Sequence, residues 1–248
     1  MPRFFSDAIS GTQAVLTGED AAHVARSLRM HPGEELTLCD GKGTDYRCAI
    51  TEIQPDLVQL QVLQSCPSLT EPSLFVRLYM ALPKGEKFEL IVQKAVELGV
   101  GEIVPVLTHR CISRPDAKSM QKKLQRYNRI ALEAAKQSMR GRVPQVRQLL
   151  TFEQAVQEMQ QADNAVLFYE RSTASMQQIL KKPGKTFAVM IGAEGGFEES
   201  EVEYARQQGI ASLTLGPRIL RCETAPLAAL SVLMYATGNF DTPQEVQQ

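Results

Sequence analysis

The chain is poor in the residues that build metal and redox sites. It holds three histidines, His23, His31 and His109, far apart, and five cysteines with no C-x-x-C pair. An odd number of thiols spaced this way supports neither a disulfide framework nor a zinc knuckle, and no metal site is expected. No apolar run is long enough to span a bilayer; the C-terminal one, Ala225 to Ala236, is too short. The opening Met-Pro-Arg-Phe-Phe-Ser-Asp is followed by no apolar core of signal-peptide length. A cytoplasmic protein with no membrane partner is therefore expected. Internal repeats and low-complexity tracts are also missing. What remains is the composition of an ordinary globular protein, 44% hydrophobic and 22% charged over 248 residues, with room for one large or two modest domains.

The net charge of −1 hides a segregated pattern. From Arg110 to Arg147 there are eleven Lys/Arg against two Asp/Glu, a local +9, so the rest of the chain carries −10. Acidic residues at i±4 are nearly absent from this block, so its charges do not neutralise one another as on an ordinary exposed helix. A basic block of this size reads as the electrostatic footprint of a polyanion partner, RNA or DNA, and the bland alternative is a solvated helix face.

Two grammars follow one another along the chain. Up to about residue 70 the pattern is β-rich, with candidate strands Ala14–Leu16, Glu34–Asp40, Asp45–Ile53 and Leu57–Leu63. Turn signals at His31-Pro-Gly33, Asp40-Gly-Lys-Gly43 and Gln54-Pro-Asp56 separate them, and one helix is expected from Glu19 to Met30. Short strands at this spacing suggest a small barrel. Cys66-Pro-Ser-Leu-Thr-Glu-Pro72 then reads as a linker. Beyond it strands and helices alternate, the mark of an α/β domain with a largely parallel sheet. The strands are Leu74–Leu82, Glu102–Val106, Asn164–Tyr169, Thr186–Ile191 and Ala211–Leu215. The helices are Lys87–Leu98, Lys118–Met139, Phe152–Gln160, Glu198–Gln208 and Thr224–Thr237.

The last two strands each run straight into a glycine-bearing loop: Gly192-Ala-Glu-Gly-Gly196, and Gly216-Pro-Arg-Ile-Leu-Arg-Cys-Glu-Thr-Ala225. Glycine at a strand end lets backbone groups approach a ligand closely, and strand ends are where open α/β sheets bind small molecules. The first loop lacks the Lys and Ser/Thr of a phosphate loop and does not fit G-x-G-x-x-G, and Glu194 would repel a pyrophosphate. A neutral or cationic adenosine-like ligand matches better. The bland alternative is a pair of tight strand-to-helix turns. The second loop also places Arg218, Arg221 and Glu223 together just before an apolar helix. Cys222 lies beside them, but no paired His base stands nearby to activate a thiol.

Taken as a set, four segments resemble the SPOUT-class RNA methyltransferases, and more narrowly the bacterial 16S ribosomal RNA uracil-N3 methyltransferase family. They are Lys84 to Val100, Arg126 to Arg140 with Pro144, Ile191-Gly-Ala-Glu-Gly-Gly-Phe197, and Leu215-Gly-Pro-Arg-Ile-Leu-Arg-Cys-Glu-Thr-Ala225. His23, Leu28-Arg29 and Gly33 are similar to that family's RNA-binding domain. The likeness spans nearly the whole chain, and the last segment is its most specific part. Ala193 departs from it where the family usually has proline, which bears on loop rigidity more than on chemistry.

The resemblance implies an α/β protein. Residues 1–70 would form a PUA-like RNA-binding β-barrel and residues 73–243 a SPOUT α/β domain with a deep C-terminal trefoil knot. It implies a homodimer packed partly through the last helix. It implies S-adenosylmethionine as cofactor, and 16S ribosomal RNA or the assembled small ribosomal subunit as partner. The cofactor would lie against Glu170, Gly192, Glu194, Gly195, Gly196, Leu215, Gly216, Ile219 and Leu220. Glu194 could bond its own loop or the ribose hydroxyls, and Leu215, Ile219 and Leu220 could sandwich adenine or serve as plain core. For catalysis, Arg221 would stabilise charge on a uracil carbonyl oxygen and Glu223 would position the base or accept a proton. The alternative is a structural Arg–Glu pair. RNA contacts are expected from Arg3, His23, Arg26, Arg29, Lys84, Lys87, Arg110, Arg140 and Arg142, although a histidine placed like His23 is more often structural. A ribose 2′-O-methyltransferase, a non-catalytic RNA-binding factor and a thiol enzyme using Cys222 are the competing readings.

Overall fold

Where the hydrophobic period is two the chain builds an antiparallel-type sheet, and where apolar runs are continuous it builds a parallel one. The computed structural model describes residues 1–180 and 184–241; the end of the expected second domain, residue 243, lies outside the described residues. The chain divides into two compact units, Met1–Glu71 with Ala135–Val143, and Pro72–Ala134 with the chain from Pro144 onward.

The first unit is a six-stranded sheet of β1 (Arg3–Phe5), β2 (Ile9–Ser10), β3 (Gln13–Thr17), β4 (Glu35–Cys39), β5 (Thr44–Gln54) and β6 (Leu57–Pro67). Its order is β1-β4-β5-β6-β3-β2, with β1 parallel to β4 and the remaining pairs antiparallel. Alternate residues point inward: Ala14 and Leu16, Leu36 and Leu38, Cys48 and Ile50, Val58 and Leu60 share one buried cluster. The expected Glu19–Met30 helix is shorter. It is α1 (Gly18–Ala22) followed by a π-helical turn His23–Ser27, where Leu28 N–H donates to His23 O at 2.9 Å, and Arg29 ends it in the left-handed region at φ 52°. The linker also starts later than its composition suggests. Cys66 and Pro67 stay in β6, paired with Asp45 and Thr44, and proline is tolerated there because β6 has run past β3 and is a local edge.

The second unit is a seven-stranded, all-parallel sheet. In chain order it runs β7 (Phe75–Ala81), α2 (Lys87–Glu97), β8 (Glu102–Leu107), α3 (Ala117–Gln137), β9 (Gln145–Val146), β10 (Leu150–Thr151) and α4 (Phe152–Met159). Then come β11 (Asn164–Phe168), α5 (Gln177–Leu180), β12 (Thr186–Ile191), α6 (Glu199–Gln207), β13 (Ala211–Leu213) and α7 (Ala225–Ala236). The last residues of α3 group with the first unit. The strand order is β10-β8-β7-β12-β11-β13, with β9 also on β8. Parallel sheets are covered on both faces, which is why β7 and β12 are almost wholly buried rather than alternating. On one face Tyr79, Val104, Val106, Leu167, Ala188 and Met190 pack against Phe152, Val156 and Met159 of α4 and Val202 and Ala205 of α6. Helix α2 buries Phe88, Ile91, Val92, Ala95 and Val96 and packs against α7. Helix α7 is apolar on every side: it buries Ala229, Leu230, Leu233 and Met234 and leaves Val232 and Tyr235 exposed. Strand β13 ends two residues before the expected Leu215. Thr214 N–H turns to Ala174 O, and the Thr214 hydroxyl oxygen accepts from Gly216 N–H, so the backbone has already left the sheet.

Candidate active site

The carboxyl ends of β11, β12 and β13 open into one cavity of about 740 Å³, within the size range of small-molecule sites. Both glycine loops line it. The first contributes Gly192 to Gly196 and the second Leu215 to Cys222, with Glu170 at the end of β11 and Lys87 from the first turn of α2 completing the wall. All nine residues expected to hold a cofactor stand on this wall. So does Arg221, whereas Glu223 does not.

The first loop folds back on itself. A side chain at Gly192 would meet the Gly196 backbone at 3.1 Å, and Gly196 sits at φ 66° with its Cα facing the Glu170 carboxylate. A 2.9 Å bond from Gly196 N–H to Ala193 O closes the turn. Two cations brace it from opposite ends. Lys87 Nζ donates to Glu194 at 2.9 Å, and Lys84 N–H donates to the same carboxylate. On the other side Arg110 donates to Gly195 O at 2.9 Å while its fork grips Glu198 through Nε and Nη2.

Lys87 reaches further. Its ammonium also lies 3.5 Å from Glu223, so one cation ties a carboxylate of the first glycine loop to a carboxylate of the second. Burial alone would raise the Glu194 carboxyl, but the Lys87 and backbone hydrogen bonds outweigh it and hold it below its ordinary value. The Glu223 carboxyl is held low by a backbone hydrogen bond, by the Cys222 thiol that donates to it, and by Lys87. Burial, and then that same contact with Glu223, push the Cys222 thiol up to about 12. It is a protonated thiol at neutral pH, which removes the thiolate that nucleophilic chemistry requires.

Arg221 is exposed on the cavity wall, and neither it nor Arg218 has an ion pair among the described residues. The structural Arg221–Glu223 pair is thus replaced by Lys87–Glu223. Ile219 also lines the cavity yet is 87% exposed, so it is not core, while Leu215 and Leu220 are half-buried.

The residues expected to meet RNA fall into three groups. Arg3 and Arg140 turn inward. Arg3 bonds Asp45 at 2.6 Å and the carbonyls of Met139 and Arg140, and Arg140 grips Glu71. Lys87 and Arg110 hold the first glycine loop. His23, Arg26, Arg29, Lys84 and Arg142 keep exposed side chains, with Phe4 set edge-on to the His23 ring at 6.0 Å. Sequence reasoning missed Tyr169 and Ser172 on the cavity wall, which only their position at the end of β11 could have flagged. Among the described residues no cluster of metal-ligating side chains occurs, and no helix is long and apolar enough to cross a membrane.

A family model of the RNA methyltransferase domain matches residues 70–234, which include both glycine loops and most of α7, and a model of the RNA methyltransferase PUA domain matches residues 16–63. The chain belongs to the RNA methyltransferase family. The ribosomal RNA small subunit methyltransferase E of Bacillus subtilis (strain 168) is 36% identical over 230 residues, 90% of either chain. The protein of the same name from Mycobacterium tuberculosis (strain CDC 1551 / Oshkosh) is 31% identical over 246 residues, 96% of this chain and 93% of that one. The crystal structure of a ribosomal RNA small subunit methyltransferase E from Neisseria gonorrhoeae, bound to S-adenosyl methionine, superposes with a TM-score of 0.82 at 30% identity, covering 95% of this chain and 97% of that one. This RNA methyltransferase thus pairs a PUA-like N-terminal region with a parallel-sheet C-terminal domain.

The bracing suggests a direct test. Replacing Lys87 by Met should weaken S-adenosylmethionine binding by about fivefold, since the lost pairs are partly solvent-screened. The difference between variant and parent should shrink as salt rises, because salt screens the pairs that the parent keeps. Titration calorimetry at two salt concentrations checks it; an unchanged affinity would show that the loop stands without its latch.

Proposed function

We propose that this protein transfers the methyl group of S-adenosylmethionine to N3 of a uridine in 16S ribosomal RNA of the small ribosomal subunit. The observation that carries the reading is the cavity between two glycine loops with Arg221 on its wall, a guanidinium that has no ion pair among the described residues. Gly192, Gly195, Gly196 and Gly216 would let the backbone approach the cofactor, Leu215, Ile219 and Leu220 would cover its adenine, and Glu170 would accept from its hydroxyls. When bound, the sulfonium supplies the methyl group.

The chain's own task is the uracil. N3–H is a weak acid, so negative charge must be held on the neighbouring carbonyl oxygens as the proton leaves. Arg221, planar and always charged, is suited to that, and being unpaired it need not break a contact first. Glu223, ionised and occupied by Lys87 and Cys222, is a weak proton acceptor. Its part is to hold Lys87, so the proton passes to solvent or to a group of the RNA. We further propose that the first unit closes as a PUA-like β-barrel over residues 1–70, with His23, Arg26 and Arg29 on RNA. The second unit, residues 73–243, would carry a deep trefoil knot and dimerise through α7, which leaves Tyr235 and Val232 uncovered.

Mass spectrometry of ribosomal RNA nucleosides from cells lacking the protein tests the reaction. Loss of 3-methyluridine, restored by complementation, is expected. Loss of a 2′-O-methyl nucleoside instead would move the chemistry to the ribose.

A further inference from the structure

The basic block between Arg110 and Arg147 is less free than its composition suggests. Arg110 is taken by Glu198, Arg126 by Glu89, Lys136 by Asp20, Arg140 by Glu71 and Arg147 by Glu158, while Arg114 donates to the carbonyls of Thr108 and His109. Within the second unit, Lys118, Lys122, Lys123 and Arg129 remain, with no ion pair among the described residues. All four are on α3. Lys118, Lys122 and Arg129 are exposed and fall within about 40° of one another around the helix axis, at 100° per residue. Gln125 is exposed between them. The opposite face buries Met120, Tyr127, Ala131 and Ala134. Three of the four free cations, Lys118, Lys122 and Arg129, thus form one stripe about 16 Å long, bounded by Asp116 before it and Glu133 after it, while half-buried Lys123 stands off it.

The stripe leads to the cavity. Arg126, on its flank, bonds Glu89 at 2.6 Å and lies 4.0 Å from Glu86. Those two residues bracket Lys87, which is on the cavity wall. At the other end Arg114 anchors to the His109 carbonyl, next to Arg110 and the Gly195 loop. Arg126 thus fastens the helix carrying the stripe to α2, whose Lys87 is on the cavity wall, and the segment leading into the helix starts beside Arg110, which braces the Gly195 loop. A row of single-sign charge with no exposed aromatic fits phosphates and does not read base edges.

We propose that Lys118, Lys122 and Arg129 form a phosphate track that lays the substrate RNA backbone along α3 toward the cavity mouth. This rests on the RNA methyltransferase reading above. The track supplies affinity and register, and target choice lies elsewhere. No residue on the stripe contributes to the cofactor cavity.

The test is the triple variant Lys118→Gln, Lys122→Gln, Arg129→Gln, in which glutamine keeps helix propensity nearly unchanged. Binding of a full-length 16S ribosomal RNA transcript is measured by fluorescence anisotropy between about 50 and 200 mM salt. The slope of log affinity against log salt should fall by about 2, roughly 0.7 for each phosphate contact removed. S-adenosylmethionine affinity and circular dichroism should match the parent, and the same weakening should appear with an unrelated RNA of equal length. An unchanged slope overturns the proposal. So does an unchanged slope accompanied by lost methylation of assembled subunits, which would make α3 a protein-docking face. If the parent binds RNA but methylates none, the enzymatic reading fails while the slope comparison still decides the track.

Discussion

Arg221→Ala should lower kcat by about two to three orders of magnitude, the loss typical of removing one donor aimed at developing charge. S-adenosylmethionine affinity should change little, because the cofactor wall is built mainly of backbone and apolar groups. What marks Arg221 is the absence of an ion-pair partner among the described residues. Lys87 is committed to Glu194 and Glu223, and Arg110 to Glu198 and the Gly195 carbonyl. Arg221 lines the cavity and is exposed, with no ion pair among the described residues. A guanidinium presents a planar fork to a carbonyl oxygen, which an ammonium does not. Arg221→Lys should therefore recover only part of the rate. Single-turnover kinetics at saturating cofactor and RNA separate this from a binding defect. An Arg221→Ala enzyme with full turnover and normal cofactor affinity would remove Arg221 from the chemistry.

Arg218 offers the internal control. It is exposed on the same cavity wall and equally unpaired. If rim charge alone mattered, Arg218→Ala and Arg221→Ala would cost the same and both losses would fade at high salt. A loss specific to Arg221 and insensitive to salt is what a directed contact requires.

The glycine loops were legible in the sequence because they are local. An apolar strand, a glycine-bearing turn and a helix follow one another within about twenty residues, and all nine expected cofactor residues stand on one cavity wall. The fates of the charged residues were not legible, because their partners are remote. Lys87 meets Glu194 across 107 residues, Arg110 meets Glu198 across 88, and Arg3 meets the Arg140 carbonyl across 137. Reading acids only at i±4 made the basic block look unneutralised, while the acids that neutralise it come from other strands and helices. The π-helical turn after Ala22 was hidden for a different reason. Its residues have ordinary helical propensity, and only the hydrogen-bond register, Leu28 to His23, distinguishes it.

Arg140 shows how far such a partner can move a residue's role, from a surface contact to a part of the core. Its side chain is 4% exposed and grips Glu71 through Nε and Nη2 at 2.9 Å each, while Glu71 also accepts from the backbone N–H groups of Gly141 and Arg142. Burial would raise the Glu71 carboxyl, but the guanidinium and the backbone donors outweigh it and hold it below its ordinary value. Arg140→Ala leaves that carboxylate buried with its counter-charge gone, a change that typically costs about 3–5 kcal/mol. The melting temperature should fall by about 10 °C or more. The sign of the pH dependence follows from the depressed carboxyl. Its stabilisation is fully present above the unfolded glutamate value and is lost as pH falls through the lower folded one. In the variant the carboxyl has no such cation and protonates at higher pH. The gap in melting temperature between parent and variant should therefore be widest near neutrality and narrow below about pH 4. Arg140→Lys, which keeps the charge and loses the fork, should fall between them. A gap that is independent of pH would mean that Arg140 acts through packing alone. A variant with parental stability but weakened, salt-sensitive RNA binding would return Arg140 to the surface.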